Sequence, residues 1–175
     1  MVRDPRERYD DLITFEEEEY VPSEEFESLK QTDATQSGWA VGALVFDPAD
    51  RILLIDNNWS DGWIVPSGGV KPGEVLSEAV VREVKEEGGI DAVPVRPHAL
   101  TDQVTVNRDS GETFEITFVL YEAKAESTSI PNDLGVTTAE VSDARWFDTF
   151  PQNVYNRELT KRVFRRCVET NDDAA

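Results

Sequence analysis

Apolar positions along the chain fall into short runs separated by polar and glycine-rich stretches, and their spacing predicts most of the elements. Trp39 to Phe46 and Arg51 to Ile55 are near-continuous apolar runs of strand length, joined by the turn Asp47-Pro48-Ala49-Asp50. A loop containing Asn57, Asn58, Asp61 and Gly62 leads to a short strand at Trp63 to Val65, then to a flexible stretch from Pro66 to Gly73. The period then changes from two to 3.6, predicting a helix from about Glu74 to Glu87 that Gly88 and Gly89 stop. Strands follow at Val93 to Pro97, Leu100 to Asn107 and Thr113 to Ala123, the last two joined by an Asp109-Ser110-Gly111 hairpin turn. A polar loop over 126 to 138, a strand from Ala144 to Phe147 and an amphipathic helix from Tyr155 to about Glu169 complete the pattern. Before Ser37 the pattern is weaker: Ser23 is expected to cap a short helix through about Gln31, and Glu16 to Glu19 read as a solvated charge run. Strands around a central helix, closed by a second helix, give an α/β (α+β) sandwich.

At 175 residues the chain corresponds to one domain with a short extension. The expected division is an acidic, partly ordered extension at 1–37, the main domain at 38–170 and a disordered tail at 171–175. Cys167 is the only cysteine and His98 the only histidine, so disulfide frameworks, CxxC pairs and His-rich zinc sites are excluded. No apolar run reaches the ~20 residues of a membrane span, and the first eight residues lack the apolar core of a signal peptide. These features point to a soluble, cytoplasmic protein with no membrane partner.

Charge changes the picture further. Thirty-six acidic residues face 17 basic ones, a net charge of −19, and twelve of the acidic residues lie before Gly38. Such a field repels a polyphosphate backbone, so a nucleic-acid polymer is not an expected partner. Abundant carboxylates with few lysines on a folded domain suggest a halophilic protein adapted to a high-salt cytosol.

The central helix carries the candidate chemistry. With 100° per residue and Leu76 at the origin, Leu76, Val80 and Val84 span about 80° and should face the sheet. Lys85, Glu78 and Arg82 fall on the opposite side. Glu86, Glu83 and Glu87 fall at about 280°, 340° and 20°, so two of the three point along the inward stripe. Carboxylates at i, i+3 and i+4 repel one another, by about 0.2–0.5 kcal/mol per pair even in water and by more near a core, unless cations or protons neutralise them. Oxygen-only ligands select a hard divalent ion, Mg²⁺ or Mn²⁺, which commonly bridges to substrate phosphates. The Ser67-Gly68-Gly69 turn lets backbone groups approach the same point. Metal-assisted phosphate chemistry follows from these residues alone.

Gly68, Glu74, Arg82-Glu83-Val84-Lys85-Glu86-Glu87 and Gly89-Ile90 together resemble the complete signature Gly-x5-Glu-x7-Arg-Glu-U-x-Glu-Glu-x-Gly-U of the Nudix hydrolases, with U aliphatic. The resemblance extends loosely over residues 38–166, with Trp63-Ile64-Val65-Pro66 preceding the box as in the family. It implies a Nudix-type α/β/α sandwich with a mixed β-sheet and a loop-helix-loop motif. It also implies hydrolysis of a nucleoside diphosphate linked to another moiety, with Mg²⁺ or Mn²⁺ and with water attacking phosphorus. By position, Glu83, Glu86 and Glu87 resemble the metal-binding and base-supplying carboxylates, with Glu87 and Glu83 the first choices as ligands and Glu86 the base or a shared ligand. Ser67, where the family often has a glycine, offers a carbonyl as a further ligand. Glu74 and Arg82 resemble the family's structural ion pair, and Glu140 a distal acidic ligand or base. Glu112 and Glu115 are further acidic candidates, Trp59 a candidate for stacking on a base, and His98 reads as a loop histidine. Outside the box no substrate-class mark is present, which leaves a nucleoside di- or triphosphate derivative or ADP-ribose as the small-molecule partner. Self-association as a homodimer stays open. The alternative is a catalytically silent Nudix domain acting as a nucleotide-binding regulator; three retained, mutually repelling glutamates argue for the enzyme.

The composition generates one test. At 1 M salt the Debye length is ~3 Å against ~30 Å at 0.01 M, so repulsion among surface carboxylates is largely screened. The melting temperature should rise markedly from low salt to molar KCl at fixed pH and Mg²⁺. A flat or falling Tm in that thermal melt would remove adaptation to salt as the reason for the acidity.

Overall fold

Nonpolar strands that are buried on both faces need helices on each side, and this requirement organises the fold. In a computed structural model, which describes residues 1–134 and 141–174, seven strands form one mixed sheet: β1 (Ile13–Val21), β2 (Trp39–Phe46), β3 (Ile52–Asn57), β4 (Ser67–Gly69), β5 (Ala92–Asn107), β6 (Thr113–Ala125) and β7 (Val141–Phe147). Their order is β1-β5-β6-β2-β3-β7, with β4 paired to the start of β2. β1 runs parallel to β5 and β2 parallel to β6, while the remaining pairs are antiparallel. Helices α1 (Ser23–Lys30), α2 (Asp33–Ser37), α3 (Leu76–Gly88) and α4 (Arg157–Ala174) complete the chain. Among the described residues, no helix is long and apolar enough to cross a membrane.

Side-chain alternation places α3 and α4 on opposite faces. Phe46 stacks on Phe164 of α4 with ring centroids 6.1 Å apart, and Phe46 is registered opposite Ile52. The next residue, Leu53, therefore faces the other way, where it meets Gly88 at the end of α3. Leu76, Ala79, Val80 and Val84 of α3 are buried, as the helical period predicts, and α4 buries Leu159, Thr160, Val163 and Cys167. The result is an α/β/α sandwich.

Several local expectations change. The segment over 63–65 forms only single bridges, Ile55 to Ile64 and Trp63 to Val154, instead of a strand. The two expected strands at 93–97 and 100–107 are one strand, β5, with register shifts between Pro94 and Arg96 and between Pro97 and Ala99. Proline has no N–H to give the ladder, and a bulge lets the strand continue past it. Ser23 is the first residue of α1 and not its cap: Pro22 holds the cap position, and the Ser23 hydroxyl lies 2.7 Å from Asp109 Oδ2 and 3.1 Å from Asn107 Oδ1. The last helix starts two residues later than expected and continues to Ala174, into the stretch expected to be a disordered tail.

The segment before Ser37 is built into the same sheet. β1 pairs along its whole length with β5, from Ile13 opposite Ala99 to Val21 opposite Asn107. Glu16 to Glu19 are solvent-exposed, as a charge run should be, but they lie within this edge strand. Charges on an edge strand discourage pairing with another chain. Phe26 of α1 is fully buried, with its ring 5.1 Å from that of Phe114 on β6. Truncation of a buried Phe costs ~3–5 kcal/mol, roughly 10 °C in Tm for a chain of this size. Phe26→Ala should lower the Tm of the whole chain by about that amount in a single transition. A Tm within 2 °C of the natural protein would show that the N-terminal segment is an independent appendage.

Candidate active site

Two chain segments converge at the site: the strand-loop from Ser67 to Glu74 and the last two turns of α3. β4 pairs with β2 through Ala40–Gly69, Val41–Gly68 and Gly42–Ser67, which fixes the loop's start against the sheet. α3 ends at Gly89, whose left-handed φ of 70° closes the helix with its N–H donating to the Lys85 carbonyl. A Cβ on Gly68 would lie 2.3 Å from Glu83 Oε1, so only glycine leaves room for that carboxylate.

Arg82 joins the two segments. Its Nε donates to Glu74 Oε1 at 2.6 Å and its Nη2 to Glu74 Oε2 at 2.8 Å, a two-point contact, while Nη2 also donates to the Gly69 carbonyl at 2.8 Å. Nη1 donates to Glu83 Oε1 and, at 3.3 Å, to Glu86 Oε2. The wheel puts the Arg82 Cα on the solvent side, but the long side chain folds back and is 18% exposed. Glu74 also accepts from the Lys71 N–H at 2.9 Å, and the Lys71 ammonium lies 3.7 Å from Glu86 Oε1. Lys71 was not singled out from sequence; its position two residues after Gly69 was the available signal.

The three helix glutamates have distinct surroundings. Glu83 is buried at 8% exposure, and this burial pushes its carboxyl above the usual range, opposed by the Arg82 hydrogen bond and reinforced by the charge of Glu86. Glu86 is the most accessible of the three carboxylates paired with Arg82, with 39% of its side chain exposed. Glu87 accepts from the Ser67 N–H at 2.8 Å, which ties the helix end to the loop start. Glu74, Glu83 and Glu86 share the cations Arg82 and Lys71, while Glu87 accepts from the Ser67 N–H. The oxygen donors are three carboxylates, with the Ser67 carbonyl in the same turn, a set suited to a hard divalent cation.

Other sequence candidates lie elsewhere. Glu140 falls outside the described residues. Glu112 is paired with Lys30 at 2.9 Å. Glu115 lines a groove of about 690 Å³ with Glu16, Glu18, Asp102 and Trp39. Trp59 is 63% exposed and meets Tyr155 edge-on, with ring centroids 5.6 Å apart. Trp63 packs edge-on against Phe147, and Trp146 donates to the Thr128 carbonyl. His98, expected in a loop, is instead a buried residue of β5, because the strand continues through the two prolines.

Arg82 holds Glu74 below the ordinary carboxylate range, chiefly through its hydrogen bonds. A carboxyl lowered by folding contributes stability above its unfolded pKa, and that contribution is lost as pH falls through the folded value. Hydrogen bonds to charged groups contribute ~1.5–3 kcal/mol each when partly buried. Glu74→Gln should therefore lower Tm by roughly 4–8 °C at pH 7, and the gap to the natural protein should narrow as pH falls below about 4. A gap that is constant from pH 7 to pH 3 in thermal melts would show that the ion pair is not its source.

Comparison with known proteins agrees with this geometry. The NUDIX domain profile matches residues 36–150. The chain is 37% identical over 51 residues to an RNA pyrophosphohydrolase of Legionella pneumophila, covering 29% of each chain. It is 34% identical over 61 residues to the nucleoside triphosphatase NudI of an Enterobacter species, covering 34% of this chain and 43% of that one. The matches thus span less than half the length of these curated relatives. Among solved structures, a UDP-X diphosphatase superposes with a TM-score of 0.49 at 22% identity, covering 77% of this chain and 63% of the other. With two-thirds of its length matched by the profile and the whole signature folded into one loop-helix unit, the chain belongs to the NUDIX family of hydrolases.

Proposed function

We propose that this protein is a Mg²⁺- or Mn²⁺-dependent pyrophosphohydrolase that cleaves a nucleoside diphosphate linked to another moiety. The observation that carries the reading is the meeting of the last turns of α3 with the Ser67–Gly69 turn, with Glu83 against Gly68, Glu87 accepting from the Ser67 N–H, and Glu86 beside Glu83 at Arg82. Glu83, Glu87 and the Ser67 carbonyl would hold the ion; when bound, it would polarise the phosphate and lower the pKa of its water.

The protein's own groups would do the rest. Glu74 and Arg82 brace the loop on the helix, so the carboxylates keep their positions without substrate. Glu86, the most accessible of the carboxylates paired with Arg82, would take the proton of the attacking water, with the Lys71 ammonium 3.7 Å away. Attack falls on phosphorus, and the leaving phosphate departs with its bridging oxygen. The substrate is a small nucleotide derivative; the acidic edge strand β1 disfavours a polymer.

Turnover of a panel of nucleoside diphosphate derivatives should be abolished by chelation and restored by Mg²⁺ or Mn²⁺. Glu83→Gln and Glu87→Gln should each lower kcat by about 10² or more with the fold retained, since each removes a charge without changing size. In ¹⁸O-labelled water the label should appear on a phosphate product. Label on the sugar, or near-normal kcat for both variants at saturating metal, would overturn the proposal.

A further inference from the structure

The sheet face opposite the NUDIX box buries a second group of chemistry-bearing side chains. His98 on β5, Glu122 on β6 and Cys167 on α4 are 3%, 6% and 0% exposed, and one potential ligand atom from each lies within 4.8 Å of the others. His98 Nε2 is 2.9 Å from Glu122 Oε2. Glu122 lies opposite Leu44, two positions before the register of Phe46, which packs on α4. The group therefore belongs to the α4 face, on the other side of the sheet from Glu83, Glu86 and Glu87.

The backbone is adjusted to make this group. In the β5–β6 ladder Pro97 is opposite Tyr121 and Ala99 opposite Leu120, so His98 is the extra residue of a bulge. A bulge re-aims its side chain relative to regular alternation. The imidazole it buries is left incomplete: Nδ1 has no hydrogen-bond partner among the described residues.

We propose that His98, Glu122 and Cys167 form a structural site for a divalent cation of the Zn²⁺ class, pinning α4 to the sheet. Thiolate, imidazole and carboxylate are the ligand types of zinc, and a carboxylate binding through both oxygens brings three side chains to four donor atoms. Donors about 2.0–2.3 Å from one ion stand roughly 3.3–3.8 Å apart, so ligand atoms within 4.8 Å reach that spacing by side-chain adjustment. Binding moves one proton from the Cys167 sulfur to solvent and changes no oxidation state. The His98 ring would bind neutral through Nε2, the nitrogen beside Glu122, and keep its proton on Nδ1. Two anionic ligands then cancel the two charges of the ion, so the core buries a neutral assembly.

Without a cation the His98 ring and the Cys167 thiol both hydrogen-bond Glu122; burial and Glu122 push the thiol up, and His98 holds the Glu122 carboxyl down. A coordinated cation reverses the first effect, because it deprotonates the thiol it binds. Cys167 lies beside Arg166, whose Nη1 donates to the Asp11 carbonyl at 2.6 Å, and Arg96 of β5 pairs with the Asp11 carboxylate. The segment before β1 is therefore tied to both elements that supply the ligands.

The full-length chain, unfolded and refolded with Co²⁺ as the probe, tests the site through sulfur. The expected result is a thiolate-to-cobalt charge-transfer absorption at one equivalent, which an oxygen-only site cannot give. The band should persist in Glu87→Gln, which alters only the opposite face. It should vanish in Cys167→Ser, and His98→Gln and Glu122→Gln should each weaken cobalt binding at least tenfold. Zn²⁺ should displace the cobalt and raise the Tm of the natural chain. Absence of the band in the refolded natural chain at saturating Co²⁺ would overturn the proposal, with no variant needed. A band whose affinity is unchanged by both His98→Gln and Glu122→Gln would also overturn it, since cobalt would then be held by the cysteine alone.

Discussion

The guanidinium of Arg82 is the contact on which the box depends, because one planar cation joins two segments that would otherwise repel. It spans Glu74 in the loop, the Gly69 carbonyl at the end of β4, and Glu83 and Glu86 on its own helix. A lysine could supply the charge but not the fork of donors that reaches four acceptors at once. The geometry is reciprocal. Arg82 offsets part of the like-charge repulsion along α3, and the carboxylates keep its side chain folded back against the loop.

The surroundings extend that constraint into the fold. Gly68 has no side chain because Glu83 lies against its Cα, and Gly89 turns with positive φ because α3 must stop there. Both glycines belong to the signature for steric reasons, while the glutamates belong to it for charge. β4 contributes only three residues, yet its pairing with β2 anchors the loop to the centre of the sheet. The site is thus held by a rigid sheet on one side and a capped helix on the other, the arrangement that keeps repelling carboxylates in fixed positions.

The two faces of the sheet are used differently. The α3 face ends in a partly exposed carboxylate cluster built around Arg82. The α4 face encloses His98, Glu122 and Cys167 in the core, away from solvent. The acidic N-terminal segment connects to both the edge and the α4 side, through the β1–β5 ladder and through Asp11. Its charge and its apolar anchors serve separate purposes: Glu16 to Glu19 remain in water while Ile13, Val21 and Phe26 pack inward.

Spacing within one helix and one loop was sufficient to read the box, the inward stripe of α3, the apolar strands β2 and β3, the hairpin of β5 and β6, and the Glu74–Arg82 pair as the resemblance implied it. These features depend on neighbours a few residues away, and local periodicity records such neighbours directly. The sequence did not reveal that the charge run Glu16–Glu19 lies in an edge strand, because a parallel pairing with β5 leaves no local alternation when both exposed edge and solvent favour charge. It did not reveal that β5 runs through Pro94 and Pro97, since a bulge is decided by the partner strand's register. Nor could it bring His98, Glu122 and Cys167 together. Each looks ordinary in its own stretch, and only the packing of α4 on the bulged strand makes them neighbours, because burial and spatial proximity are properties of the tertiary structure alone.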